Sequence, residues 1–409
     1  MKLDFLKPKE RFLILEVLPG HANALFLSVD EDRNVVFENL KEGIDLKKFL
    51  KSPVRRISQK TWEGKHLFDA RRRVIVIADA GIATTIPVPV AIERAEQLKK
   101  EKITVLELEN LVAQEMKKIF AGCRSEAARR LGIDPLHAVL VGSKIEEERV
   151  DGKGVADAVG RIGSKISFAL ELTFTGREMF EDLKQFFSSP EGFFFAESPQ
   201  THLRFLEGAR ELPLNLLAER RGPKAENGER NLSLFILQAP GPKSGLGSHP
   251  VLYRETFNWG FDSLFRDIET AFCVSRAVAE ELYISYAKGK MSENALKYFK
   301  KTIEPAVERL LKEVERSKIS GHVYVDAPFA PPFPAPYRHQ GAVFSSAPVE
   351  ELLKKFDFAA DAAAVKPHGR AILPEQVSRY LAPFFEAYFD RSRSEINQRL
   401  RKKLHWLAE

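Results

Sequence analysis

This 409-residue sequence has few of the residues that build covalent or metal-held frameworks. Its two cysteines, Cys123 and Cys273, stand far apart with no Cys-x-x-Cys between them. That excludes a disulfide scaffold and a cysteine zinc site, and two free thiols fit a reducing compartment. No window approaches the roughly 20 consecutive apolar residues of a spanning helix, and the charged stretch from Met1 to Lys9 has no apolar core. No signal peptide is therefore expected, and the expected location is the cytoplasm. A dominant charge is also missing: Lys and Arg number 63 against 57 Asp and Glu, a net charge of +6, too mild to call for nucleic acid.

The usual catalytic signatures are absent as well. Lys243-Ser244 follows Pro242, so no Gly-Lys-Ser/Thr phosphate loop exists, and Gly245-Leu246-Gly247 lacks the third glycine of a dinucleotide turn. The nine histidines show no His-Glu-x-x-His spacing, so no metal is assigned. No Gly-x-Ser-x-Gly elbow surrounds a serine, and Cys123 falls in an amphipathic stretch, which leaves nucleophilic catalysis without an anchor.

What is present is enough apolar sequence, 44%, for a large core divided between two lobes or more. Apolar runs at 12–18 and 24–29 flank Pro19-Gly20 and predict a hairpin, followed by a strand at 35–37 and a basic helix at 46–51. Residues 74–78 read as a strand buried on both faces. The stretch 102–174 predicts a compact module: a helix to Arg130, strands at 138–141 and 166–174, and turn-rich excursions at 143–145 and 150–152. A helix at 176–187, a strand at 193–195 and a helix at 201–209 precede a charged loop at 219–230. The second lobe is expected to follow that loop, with strands at 232–237 and 251–256, helices at 263–287 and 292–317, and a strand at 323–325. Prolines 328, 331, 332, 334 and 336 then forbid regular structure, and helices at 374–388 and 390–407 close the chain.

Two strand-hairpin halves with an insert in the first resemble the actin-like ATPases, in particular the bacterial FtsA and PilM branch. The likeness is carried by Val74 to Pro87, Glu93-Arg94, Lys102-Ile103-Thr104, Leu106-Glu107-Leu108-Glu109-Asn110-Leu111, Ser143-Lys144-Ile145, Val150-Asp151-Gly152 and Leu170-Glu171-Leu172-Thr173-Phe174. These are similar to the subdomain which that branch inserts. In the second half it is carried by Phe257-Asn258-Trp259-Gly260, Arg266-Asp267-Ile268 and Ala279-Glu280-Glu281-Leu282. The resemblance implies an α/β, two-lobed actin-like (ribonuclease H-like) ATPase fold with an inserted strand-helix subdomain. Its parts would be the first lobe at 10–88 and 175–228, the insert at 89–174, the second lobe at 229–345, return helices at 346–389 and a basic amphipathic helix at 390–409.

The same resemblance places a nucleotide cleft at Glu16, Gly20, Gln238, Gly241 and Glu280. Each lobe's first hairpin should offer an Asp and a Gly-rich turn whose bare backbone can approach phosphates. Here Glu16 stands for the first Asp and Gln238 for the second. Pro240 and Pro242 cannot donate, Tyr283 occupies the position of a ribose-binding lysine, and Asp326-Ala327-Pro328-Phe329 contains no glycine. A pseudo-ATPase without cofactor is the expectation; a working enzyme holding ATP and Mg through Glu16 and backbone groups is the alternative.

The expected role is a scaffold in bacterial cell division that self-associates and links protein partners, with type IV pilus assembly as the alternative machinery. Arg149 and Lys153 of the insert are the expected partner contacts. From Arg391 onward the net charge is +4. Arg399, Leu400, Arg401, Lys403, Leu404, Trp406 and Leu407 there combine an apolar stripe with basic flanks, which suits either an anionic membrane surface at the inner membrane or packing on the first lobe.

Overall fold

The computed structural model describes residues 10–51, 72–187, 193–221, 230–239, 249–327, 329–333, 336–360 and 374–389. In chain order the first lobe opens with β1 (Glu10–Leu18), β2 (His21–Val29), β3 (Asn34–Ile44), α1 (Leu46–Lys51) and β4 (Arg72–Ala78). An insert follows: β5 (Ala83–Glu93), α2 (Val105–Leu131), β6 (Ala138–Val150), β7 (Lys153–Gly154) and β8 (Lys165–Gly176). The chain returns through α3 (Arg177–Phe187), β9 (Phe193–Glu197) and α4 (Ser198–Glu207). The second lobe comprises β10 (Leu214–Arg221), β11 (Arg230–Gln238), β12 (Val251–Thr256), α5 (Phe261–Phe272), α6 (Arg276–Ala287), α7 (Glu293–Arg316), β13 (Gly321–Asp326), β14 (Tyr337–His339) and β15 (Ala342–Phe344). Then α8 (Val349–Lys355), β16 (Ala359–Ala360) and α9 (Pro374–Tyr388) lead back.

The two large sheets repeat one plan. The first runs β16-β3-β2-β1-β4-β9 and the second β12-β11-β10-β13-β15-β14. In each, a leading strand pairs antiparallel with the next and parallel with the fourth: β1 with β2 and β4, β10 with β11 and β13. The leading strands are nearly continuous apolar runs because helices or sheet cover both their faces. One core fills the space between the sheets, joining Phe12, Ile14 and Leu25 to Leu216, Phe235 and Tyr324 through Leu203 and Phe205 of α4 and Leu381 and Phe384 of α9. Helices α4 and α9 thus form the pillar on which both lobes rest.

The insert has its own sheet, β5-β8-β6-β7, and its own core under α2. Thr104 caps α2 by accepting from the Glu107 N–H at 3.1 Å, and Gly132, at φ +68°, ends it in the left-handed conformation that glycine adopts without strain. Arg94 is buried and donates to both Glu107 oxygens at 2.7 and 2.8 Å and to the Gly163 carbonyl at 2.8 Å, which fixes the entry of the insert against its exit.

Several expectations change. The hairpin at Pro19-Gly20 is present, with Gly20 at φ +84°. Residues 143–145 lie within β6, which absorbs irregularity as bulges near Gly142 and Glu147 and does not leave the sheet. The stretch 263–287 is two helices, since Cys273 takes φ +52° and ends α5. A glycine would have marked that stop; a cysteine did not. The largest correction concerns residues 214–221: this strand pairs with β11 and β13 at the middle of the second sheet, so the second lobe begins ahead of residue 229 and Glu219–Arg221 are not loop. A short run of four apolar residues interrupted by Asn215 and closing on charges does not declare itself as a central strand.

Candidate functional site

The C-terminal ends of β1 and β13 point toward α9, and three charged side chains meet there. Glu16, from β1, is fully buried and forms an ion pair with Arg379 of α9. Arg379 Nη1 also donates to Asp326 Oδ1 at 3.3 Å, so one guanidinium joins the leading strand of the first lobe to β13 of the second. Asn23 Nδ2 donates to Glu16 at 2.9 Å, and the Tyr380 hydroxyl lies 3.5 Å from the same carboxylate. On the far side, His202 Nε2 and Ser378 Oγ are 2.5 Å apart and His202 Nδ1 lies 3.9 Å from Asp326.

Burial pulls the Arg379 guanidinium below the ordinary arginine value, yet a guanidinium keeps its charge in any protein environment. Burial pushes the Tyr380 hydroxyl up to about 12, so it acts only as a neutral donor. Two buried carboxylates flank one cation, and an amide and a hydroxyl both approach Glu16 Oε2. Ser378, His202 and Asp326 have the element types of a nucleophile, a base and its orienter. All three are buried, so the arrangement braces the lobes and gives substrate no approach.

Beside this unit, Glu197 closes β9 and accepts the Thr85 N–H at 2.7 Å. Burial, reinforced by Asp79, raises its carboxyl to about 7 against the pull of the Thr85 N–H and of Arg130 and Arg254. Asp79, just after β4, accepts from the Gly81 N–H at 2.7 Å.

Of the four described residues assigned to a nucleotide cleft, Glu16, Gly20, Gln238 and Glu280, only Glu16 reaches this unit. Gly20 sits exposed at the tip of the β1–β2 turn. Gln238 ends β11 opposite Val251, in the second hairpin of its lobe, because the first hairpin is β10–β11; this corrects its assumed equivalence to Glu16. When the last parallel pairs of the two lobes, Val17 with Ala78 and Ala218 with Asp326, are aligned, the counterpart of Glu16 is Leu217. Glu280 pairs with Arg276 at 2.8 Å, and Arg276 also pairs with Asp262, a surface cluster on α5 and α6. Gly241, Pro240 and the C-terminal residues Arg399, Leu400, Arg401, Lys403, Leu404, Trp406 and Leu407 lie outside the described residues. Arg149 is half-buried and pairs with Glu147 at 3.7 Å, whereas Lys153 is exposed on β7. Tyr283 and Phe329 pack in the second-lobe aromatic core, not between the lobes, and the Tyr283 hydroxyl donates to the Ala330 carbonyl at 2.7 Å.

Sequence reading missed Arg379, His202 and Ser378. The signal was a lone cation in the apolar stretch Val377-Ser378-Arg379-Tyr380-Leu381, a pattern that marks a buried, paired charge.

No family model and no curated protein matches the chain. Among solved structures, a PilM-PilN type IV pilus biogenesis complex is similar over 91% of this chain and 97% of the other at 14% identity and TM-score 0.43. A protein of unknown function with an actin-like ATPase fold from Bacteroides thetaiotaomicron VPI-5482 covers 90% and 96% at 8% identity and TM-score 0.33. An Aquifex aeolicus PPX-GPPA enzyme covers 78% and 68% at 9% identity and TM-score 0.26. This chain has a two-lobed α/β fold in which the two large sheets repeat one pairing plan. Among the described residues, no helix is long and apolar enough to cross a membrane and no cluster of ligating side chains suits a metal.

Proposed function

We propose that this chain is a non-catalytic actin-like scaffold that works through protein contacts and turns over no nucleotide. The observation that carries this reading is Arg379 set between Glu16 and Asp326. A nucleotide site of the kind the resemblance implies needs its acidic groups free to hold a hydrated metal against phosphates. Here the chain's own guanidinium neutralises them, the second lobe puts Leu217 where a carboxylate would stand, and ATP with Mg has no place at the centre.

Surfaces for protein contact remain. On the second lobe a groove of about 390 Å³ is lined by Tyr286, Pro332, Lys297, Lys300, Lys301 and Glu304, three cations against one acid, which suits an acidic peptide. On the insert, Lys153 and the half-buried Arg149 offer a second face. Cell division is the first machinery we assign on the residues of the insert, and type IV pilus assembly is the second.

A thermal-shift titration with Mg-ATP tests the core of the proposal, because a ligand that binds only the folded state raises its melting temperature by mass action. No shift up to about 1 mM nucleotide is expected, whereas a clear rise at lower concentration overturns it. Binding of an N-terminal peptide from an inner-membrane pilus protein would move the assignment from division to pilus assembly. Co-sedimentation of the full chain and of a chain lacking residues 393–409 with anionic vesicles tests the membrane contact; equal binding by both, or none by either, removes it from the proposal.

A further inference from the structure

Glu197 stands where the first lobe, the insert and the second lobe meet. Its backbone leaves β9 for α4, its side chain is buried, and its Oε2 accepts the Thr85 N–H of β5 at 2.7 Å. That strand is an edge of the insert's sheet, hydrogen-bonded there only to β8, so the carboxyl of the first lobe takes up one of its edge amides.

Three charged side chains face the carboxyl: Asp79 just after β4, Arg130 in the last turn of α2 and Arg254 on β12. Burial and Asp79 favour the neutral acid, and the two arginines favour the carboxylate. Arg130 is tied to Glu126 of its own helix at 2.8 Å. Arg254 belongs to the other lobe. Its guanidinium lies 5.7 Å from the ring centre of Phe235, its cross-strand neighbour on β11, and its Nη1 donates to the Ala80 carbonyl at 3.0 Å, one residue beyond Asp79. How closely β12 sits on the turn after β4 therefore sets how closely Arg254 approaches Glu197.

Coulomb attraction between those two groups acts in both directions. A β12 held close favours loss of the Glu197 proton, and loss of that proton favours a β12 held close. We infer that Glu197 and Arg254 couple pH to the closure of the two lobes at this rim: with Glu197 neutral the rim is held by the Arg254–Ala80 hydrogen bond, and with Glu197 ionised an attraction from β9 to β12 is added to it. The carboxyl is raised to about 7, so changes of pH around neutrality move the rim between the two conditions. Alkalinisation tightens it and acidification loosens it, and the added attraction offsets part of the cost of burying the new charge. The inference does not rest on the scaffold reading.

Carboxyl-carbon NMR of the full chain, with the Glu197 signal assigned by its loss in Glu197→Gln, tests one direction of the coupling. The titration midpoint is expected at about 7 in the unmodified chain. It should lie about half a pH unit higher in Arg254→Gln, which removes the charge and keeps an amide donor. Solvent exchange of the Arg254 guanidinium protons tests the other direction. Corrected for the intrinsic effect of pH, it is expected to be about threefold slower at about pH 8 than at about pH 6, and to lose that difference in Glu197→Gln. A Glu197 midpoint that Arg254→Gln leaves in place, a corrected guanidinium exchange rate without pH dependence, or a pH response that survives Glu197→Gln overturns the inference. No nucleotide or partner enters these measurements, so failure here is separate from failure of the scaffold proposal.

Discussion

Two buried ionic clusters hold this molecule together, and they are built to different ends. Between the lobes, Arg379 is clamped by Glu16 and Asp326, and a guanidinium does not titrate at any physiological pH. At the insert, Arg204 and Glu171 are joined by His249, whose one nitrogen faces a donor and an acceptor at nearly equal distance. The first cluster can only be intact or broken. The second seats the insert on α4 and on the residue that leads into β12, so one cluster holds the lobes together and the other holds the insert in place.

The largest effect that would test this contrast comes from Arg379→Ala. It leaves Glu16 and Asp326 buried without their cation and should cost about 3–5 kcal/mol in chemical denaturation. A loss below about 1 kcal/mol, the worth of an exposed ion pair, would show that the central cluster is not a lock.

Next in size is Glu197→Gln. The Glu197 carboxyl has an ordinary value of 4.5 and is raised to about 7 in the folded chain, so the native state holds its proton more tightly than the unfolded state does. Its contribution to stability is greatest below 4.5 and falls as pH rises to about 7. At pH above that window Glu197→Gln should be the more stable protein, by up to about 3 kcal/mol, and the two should converge in acid. Parallel stability–pH curves would refute a protonated Glu197.

Smallest in stability is the double substitution Arg149→Glu with Lys153→Glu on the insert, expected to change folding free energy by no more than about 0.5 kcal/mol. It should nevertheless weaken self-association or partner binding, measured by sedimentation velocity or pull-down. Undiminished association would move the working surface off the insert, and the Lys297, Lys300 and Lys301 groove would then be the face to test.

Residues 12–18 and 74–78 were legible as strands, the stretch to Arg130 as a helix and Pro19-Gly20 as a hairpin turn, because each rests on local chemistry: apolar runs, helical period and turn residues. Strand β10 was not, since Leu214-Asn215-Leu216-Leu217-Ala218 ends in charges and only its partners β11 and β13 make it central. Misplacing it made the β11–β12 hairpin, which Gln238 does join, the first of its lobe when it is the second. Of the candidate cleft, Glu16 was found from its place on the first strand, whereas Arg379 is 363 residues further along the chain, beyond the reach of any local pattern.

The sequence by itself determined the α/β class, the two-lobed division and the insert, because hydrophobic period and turn chemistry act over a few residues. Only the tertiary structure decided which charges meet. Glu16 with Arg379 and Asp326, and Glu171 with Arg204 and His249, come from strands and helices far apart in the chain, and their pairing depends on how the two sheets close over α4 and α9.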